Sequence, residues 1–185
     1  MPKLFAFLRA INVGGHNVTM KELARVFEDV GLKEVETFIA SGNVIFNAPS
    51  GSLRALERKA EVKLEQSLGY KVKTFIRTAA EVQAIASYQP FRKSMVASAQ
   101  ALNVAFLSEP LNGDAGKSLM ALANEIDAFH VYGREAYWLC RKKQSDSKFS
   151  NTRFEKVING SATWRNINTI VRLSSKFDAT TAGEA

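Results

Sequence analysis

From Lys3 to Val13 (KLFAFLRAINV) the chain is mostly apolar, rich in Phe and free of glycine and proline, which predicts a buried strand. Gly14-Gly15-His16-Asn17 interrupts the run as a turn. Thr19-Met20-Lys21-Glu22 is a capping-box pattern, and Leu23, Val26, Phe27 and Val30 then recur at helical spacing until Gly31 stops the helix. Val35 to Ile39 and Asn43 to Asn47 read as two short strands around a tight Ser41-Gly42 hairpin. Ser52 caps a second helix carrying Leu53, Leu56, Ala60, Leu64 and Leu68 on one face, with Gly69 at its stop. Lys71 to Arg77 (KVKTFIR) predicts a fourth strand. The order strand, helix, strand, strand, helix, strand describes a ferredoxin-like βαββαβ domain over residues 1–78.

Beyond it, Thr78 and Glu81 form a second capping box for a helix with Val82 and Ile85, which Pro90 closes. Phe91 to Gln100 reads as a linker. Leu102 to Leu107 predicts a strand, Gly116 to Ala123 a short helix, and Phe129 to Arg141 a hairpin about Gly133. Thr152 to Ile158 is read as a helix ending at Gly160. A last helix is expected from Trp164 to about Ser174, capped by Thr163. The fold class is therefore α+β: a ferredoxin-like half packed with a smaller mixed half over 79–177, and a polar tail over 178–185.

Composition narrows this reading. A chain of 185 residues with 46% hydrophobic residues and 12 Phe has the means to bury a core. No apolar run approaches the roughly 20 residues a membrane span needs, and the start of the chain shows no export signal. Cys140 is the single cysteine, so no intrachain disulfide forms, which suits a cytoplasmic setting. The formal charge is +7. Between Arg141 and Lys176 basic residues outnumber Asp146 and Glu155 by seven, so the rest of the chain sums to zero. That basic third is read either as a solvated surface or as a face for phosphates or nucleic acid.

In a βαββαβ sheet of order 4-1-3-2, the chain leaves strand one at the end where it enters strand three. Gly14, Gly15 and His16 then converge with Ser41, Gly42 and Asn43, beside the start of the first helix and the turn at Gly69-Tyr70. Glycine amides open to close approach, with Arg9 or Asn12 as side-chain donors, are the parts of an anion or phosphate site. Neither turn matches a dinucleotide-binding or P-loop pattern. Both also read as ordinary turns that need positive φ, and the two readings stay open.

Leu8 to Gly15 (LRAINVGG), Thr37 to Val44 (TFIASGNV) and Thr163 to Thr169 (TWRNINT) together resemble the bacterial family called domain of unknown function 1697. The resemblance implies a small cytosolic α+β protein with ferredoxin-like substructure, and it brings no activity. Relative to the family pattern, Ala10 stands where glycine is usual, Phe38 where tyrosine is common and Ile167 where tryptophan is frequent. The third motif adds Arg165, Asn166 and Asn168 to the candidate ligand set. On a helix, Arg165, Asn168 and Arg172 share a polar face that either completes an anion site or satisfies carbonyls elsewhere in the fold.

No catalytic constellation is recognised. His16 and His130 have no second ligand at metal spacing, so no metal is expected, and no cofactor either. Cys140 alternates with Trp138 and Ala136 as a buried thiol. Phe5 and Phe7 share a face of the first strand, as stacking platforms do, but are read as core facing the helices. Three functions remain in view. The first is non-enzymatic binding of a phosphate-bearing or other anionic ligand. The second is an enzyme acting on a small anionic substrate through Arg9, His16 or Arg165, and the third a structural or interaction module.

Overall fold

The computed structural model describes residues 1–12, 14–39 and 42–182, with side chains as far as 176. The chain divides into two compact units, Met1–Ala84 with Leu173–Ala185, and Ile85–Arg172. Two four-stranded antiparallel sheets make it an α+β protein.

The first unit runs β1 (Lys3–Leu8), α1 (Met20–Asp29), β2 (Lys33–Thr37), β3 (Asn43–Asn47), α2 (Leu53–Leu68), β4 (Thr74–Thr78) and α3 (Ala79–Ser87). Its sheet has the order β2-β3-β1-β4. Period-two alternation assigns the faces of β1. Leu4, Ala6 and Leu8 pack with Leu23 and Phe27 of α1 and Ala60 and Leu64 of α2. Phe5 and Phe7 point the other way and are buried there as well. They are core, as expected, but on the face opposite α1 and α2, and they offer no stacking surface.

Local chemistry sets the helix ends. The Thr19 hydroxyl accepts from the Glu22 amide while the Glu22 carboxylate accepts from the Thr19 amide, closing the capping box. Ser52 caps α2, and Gly69 ends it at φ 80°. Strand β4 lies at the sheet edge, where its outward amides would be open to pairing. Carboxylates occupy them instead: Thr74 donates to Glu61, Ile76 to the buried Glu57 and Thr78 to Glu81, at 3.0, 2.8 and 2.8 Å.

The second unit contains α4 (Lys93–Ala97), β5 (Ala101–Leu107), α5 (Gly113–Met120), β6 (Asp127–Tyr132), β7 (Glu135–Cys140), α6 (Asn151–Ile158) and β8 (Ala162–Asn166). Its sheet order, β6-β7-β5-β8, repeats that of the first sheet element for element. Trp138, Phe149 and Phe154 pack with the half-buried Trp164 between sheet and helices. The Trp138 indole donates to the buried Asp127 at 2.7 Å. Helix α7 (Ile167–Ala182) follows β8, and its residues from Leu173 on belong to the first unit, where Lys176 pairs with Glu36.

Several expected boundaries move. Strand β1 stops at Leu8, because the chain turns at Ala10 with φ 56°. Strand β2 starts and ends earlier than Val35 to Ile39, and Ile39 itself takes φ 58° in the loop beyond it. Strand β4 begins at Thr74 rather than Lys71, and the 91–100 linker contains α4. The largest correction concerns Thr163 to Asn166: this segment is strand β8, paired to β5, and the helix begins only at Ile167. The pairing of Asn103 to Leu107 with Ala162 to Asn166 outweighs the cap-like Thr163. The expected tail from 178 starts inside α7, and residues 183–185 lie outside the described residues.

Candidate functional site: the glycine-rich end of the first sheet

Three connections meet where β1 ends and β3 and β4 begin. The Leu8 amide donates to the Gly42 carbonyl at 2.8 Å and the Arg9 amide to the Lys73 carbonyl at 2.9 Å, so the end of β1 is held from both sides. The Tyr70 hydroxyl donates to the Ile11 carbonyl at 2.8 Å, tying the α2–β4 turn to the β1–α1 loop. Burial pushes the Tyr70 phenol up from its usual range. His16 stacks on Tyr70 with centroids 3.8 Å apart. Asn12 Oδ1 accepts from the Val18 amide at 2.8 Å, pinning the loop to the start of α1.

Positive-φ backbone gathers at the same end. Ala10, Gly14, Gly15, Ile39, Gly42 and Gly69 all have positive φ. A side chain in that region costs roughly 1–2 kcal/mol, and Ile39 is both β-branched and exposed. Gly42 is required twice over: its φ is 71°, and a Cβ there would stand 2.8 Å from Ile11 Cγ2 and 3.1 Å from Leu8 Cβ. Gly14 and Gly15 are different, since nothing lies within 4 Å of either added Cβ, so their backbone faces open space.

Of the candidate residues, Arg9, Asn12, Gly14, Gly15, His16, Gly42 and Asn43 fall at this end of the first sheet. Ser41 lies outside the described residues. Their roles separate. Asn43 is buried, its Nδ2 donating to the Phe38 carbonyl at 3.0 Å while the Phe38 amide donates to the Asn43 carbonyl at 2.9 Å. It therefore closes the 38–43 loop. Asn12 likewise spends its oxygen on Val18. Arg9 is half-buried, and His16, Gly14 and Gly15 are exposed. The start of α1 already holds an anion of the protein's own, the Glu22 carboxylate. Its pKa is lowered by the Thr19 hydroxyl and then the Thr19 amide.

The other three candidates belong to the second unit. Arg165 is buried in β8 and donates to Thr163 Oγ1 and to the Trp164 carbonyl, both at 2.8 Å; burial pushes its guanidinium down to about 10. Asn166 caps α7 through Oδ1, which accepts from the Asn168 amide at 2.9 Å. Arg77, at the matching position in β4, is also buried and donates to the carbonyl of the residue before it. Cys140 is a buried thiol, its pKa raised by burial. Among the described residues no group of three His, Cys, Asp or Glu could hold a metal ion, and no helix is long and apolar enough to cross a membrane.

Sequence reasoning passed over Tyr70 as a side chain, although a tyrosine directly after the helix-stopping Gly69 marks the spot. It also passed over Ala10 and Ile39 as positions of positive φ, for which a non-glycine residue carries no local signal.

Two repeated α+β sheets, one of them with a strained, glycine-rich end, define the class of protein. The chain belongs to the family described as protein of unknown function (DUF1697), whose model matches residues 1–137. That match takes in the whole first sheet and ends inside β7, so the 163–169 motif lies beyond it. No curated protein matches the chain. Among solved structures it is similar to a conserved bacterial protein from Streptococcus pneumoniae, at 21% identity and a TM-score of 0.74, over 96% of this chain and 99% of that one. The likeness shows a shared fold.

Proposed function

We propose that the glycine-rich end of the first sheet binds a phosphate-bearing or other anionic ligand without chemical turnover. The observation that carries this is the concentration of positive-φ backbone at that one end, held by Tyr70, Asn12 and Asn43, while Gly14 and Gly15 stay open. At the non-glycine positions Ala10 and Ile39 this conformation is strained, and such strain persists where surrounding structure imposes it, as at ligand sites. The ligand would meet the Gly14 and Gly15 amides, with His16, positioned by Tyr70, and Arg9 adding side-chain donors. Because Glu22 fills the start of α1, that helix end contributes little. We read both sheets with their helices as ferredoxin-like, on element order and strand order, and the protein as cytoplasmic and bacterial.

The test is thermal unfolding with inorganic phosphate, pyrophosphate, nucleotides and short RNA at two salt concentrations. A binder at a hundredfold its Kd adds about 2.7 kcal/mol of stability. The expected shift weakens with salt and is lost in His16→Ala and Arg9→Ala proteins that still fold. Unfolding midpoints that ignore every anion would sink the proposal. For the 163–169 motif, the burial of Arg165 among its own partners favours a structural role.

A further inference from the structure

Between the end of α3 and the start of β5 the second unit has a cleft of about 330 Å³, open to solvent on one side. Its wall is apolar: Tyr88, Pro90, Phe91, Val96 and Leu102. The volume falls at the small end of the range for small-molecule sites. Tyr88 is fixed in place. Its hydroxyl shares a 2.8 Å hydrogen bond with His130 Nε2, and its ring stacks on Tyr132 at 4.6 Å and tilts against Tyr137 at 5.3 Å. A wall held this way loses little freedom when something binds against it. Val96 remains 37% exposed, an apolar side chain left accessible at the cavity.

Two polar groups complete the lining, Gln89 and Lys93. Among the described residues neither side chain has a hydrogen bond or ion pair. The cavity therefore offers one cation and one amide beside an apolar, partly aromatic wall, with no carboxylate in its lining. Lys93 is the one charged group of the lining, so a single negative charge on a ligand is matched there.

We infer that this cavity binds a small aromatic monocarboxylate, its ring against Tyr88, Phe91 and Leu102 and its carboxylate on Lys93 with the Gln89 amide. This site lies in the second unit and stands independently of the anion site proposed in the first.

The probe is 3-phenylpropionate, titrated into the full chain and followed by the methyl signals of Val96, Ala97 and Leu102, with 3-phenylpropanol as the uncharged control. The expected result is a saturable shift of those methyls at millimolar concentration, at least fivefold weaker for the alcohol. Lys93→Met keeps the length and apolar stem of an exposed side chain, and is expected to bring the carboxylate down to the affinity of the alcohol. Equal binding of acid and alcohol, an unchanged affinity in Lys93→Met, shifts centred elsewhere, or no saturable shift would each overturn the inference.

Discussion

Between sheet and helices, the first unit packs Leu4, Ala6, Leu8, Leu23 and Leu64 around the aromatic pair Phe27–Phe46, whose centroids are 5.5 Å apart. The second places Trp138, Phe149, Phe154 and Trp164 in the same layer, each ring within 6.1 Å of another. Both arrive at the same strand order. The shared layout therefore follows from where strands and helices fall along the chain, and filled volume in the layer matters more than which side chains fill it. The units differ more at the ends of their first strands. The first reaches its helix through the long Arg9 to Thr19 loop, and the second through the short Ser108 to Asn112 connection. The glycine-rich end exists only where that loop is long, and long loops on a fixed scaffold are where binding sites are commonly carried.

The largest effects are expected in the two cores. Phe154→Ala is expected to cost ~3–5 kcal/mol and Leu64→Ala ~2–5 kcal/mol in chemical denaturation. Both tryptophans lie in the second unit, so tryptophan emission reports that unit alone. Phe154→Ala should move the emission transition, and Leu64→Ala should move the far-UV transition ahead of it. If the two probes stay superimposed in both variants, the units unfold as one.

The sheet edges come next. Glu57 covers β4 from a buried position, whereas Glu155 covers β8 by accepting from the Ala162 amide at 2.9 Å. Truncating Glu57 to Ala should cost ~2–3 kcal/mol and Glu155 to Ala ~1–2 kcal/mol, because each leaves an amide without its acceptor. Glu57→Gln retains an acceptor oxygen and should lose less than Glu57→Ala; equal losses would show that the acceptor is unimportant.

At the strained end, Gly42→Ala should cost ~1–3 kcal/mol, since its Cβ would collide with Ile11. Ala10→Gly should instead gain up to ~1 kcal/mol by relieving a left-handed alanine at φ 56°. A destabilised Ala10→Gly protein would contradict the strain assigned there.

The smallest effect concerns pH. The Glu22 carboxylate is held below its ordinary pKa by Thr19, so its contribution to stability is complete above the unfolded glutamate value of about 4.3. It is lost as pH falls through the lower folded value. The stability difference between wild type and Glu22→Gln should shrink over that acid window and stay constant at neutral pH. A difference independent of pH would remove the charge from the cap.

What the amino-acid sequence determined by itself was local. Thr19 with Glu22, Ser52 with Gly69 and the turn at Gly133 each act within a few residues, so their helix ends and hairpin were readable from the chain. The six-element order of the first half was legible for the same reason. Tertiary pairing decided the rest. Thr163 to Asn166 has both a cap residue and strand formers, and only β5 alongside it makes it a strand that carries Arg165 into the interior. Phe5 and Phe7 face away from α1 and α2 because Leu4, Ala6 and Leu8 take that side, which period-two alternation alone leaves undecided. The left-handed turn at Ala10 is likewise flanked by bonds to distant partners, from the Arg9 amide to the Lys73 carbonyl and from the Tyr70 hydroxyl to the Ile11 carbonyl, which no local pattern encodes.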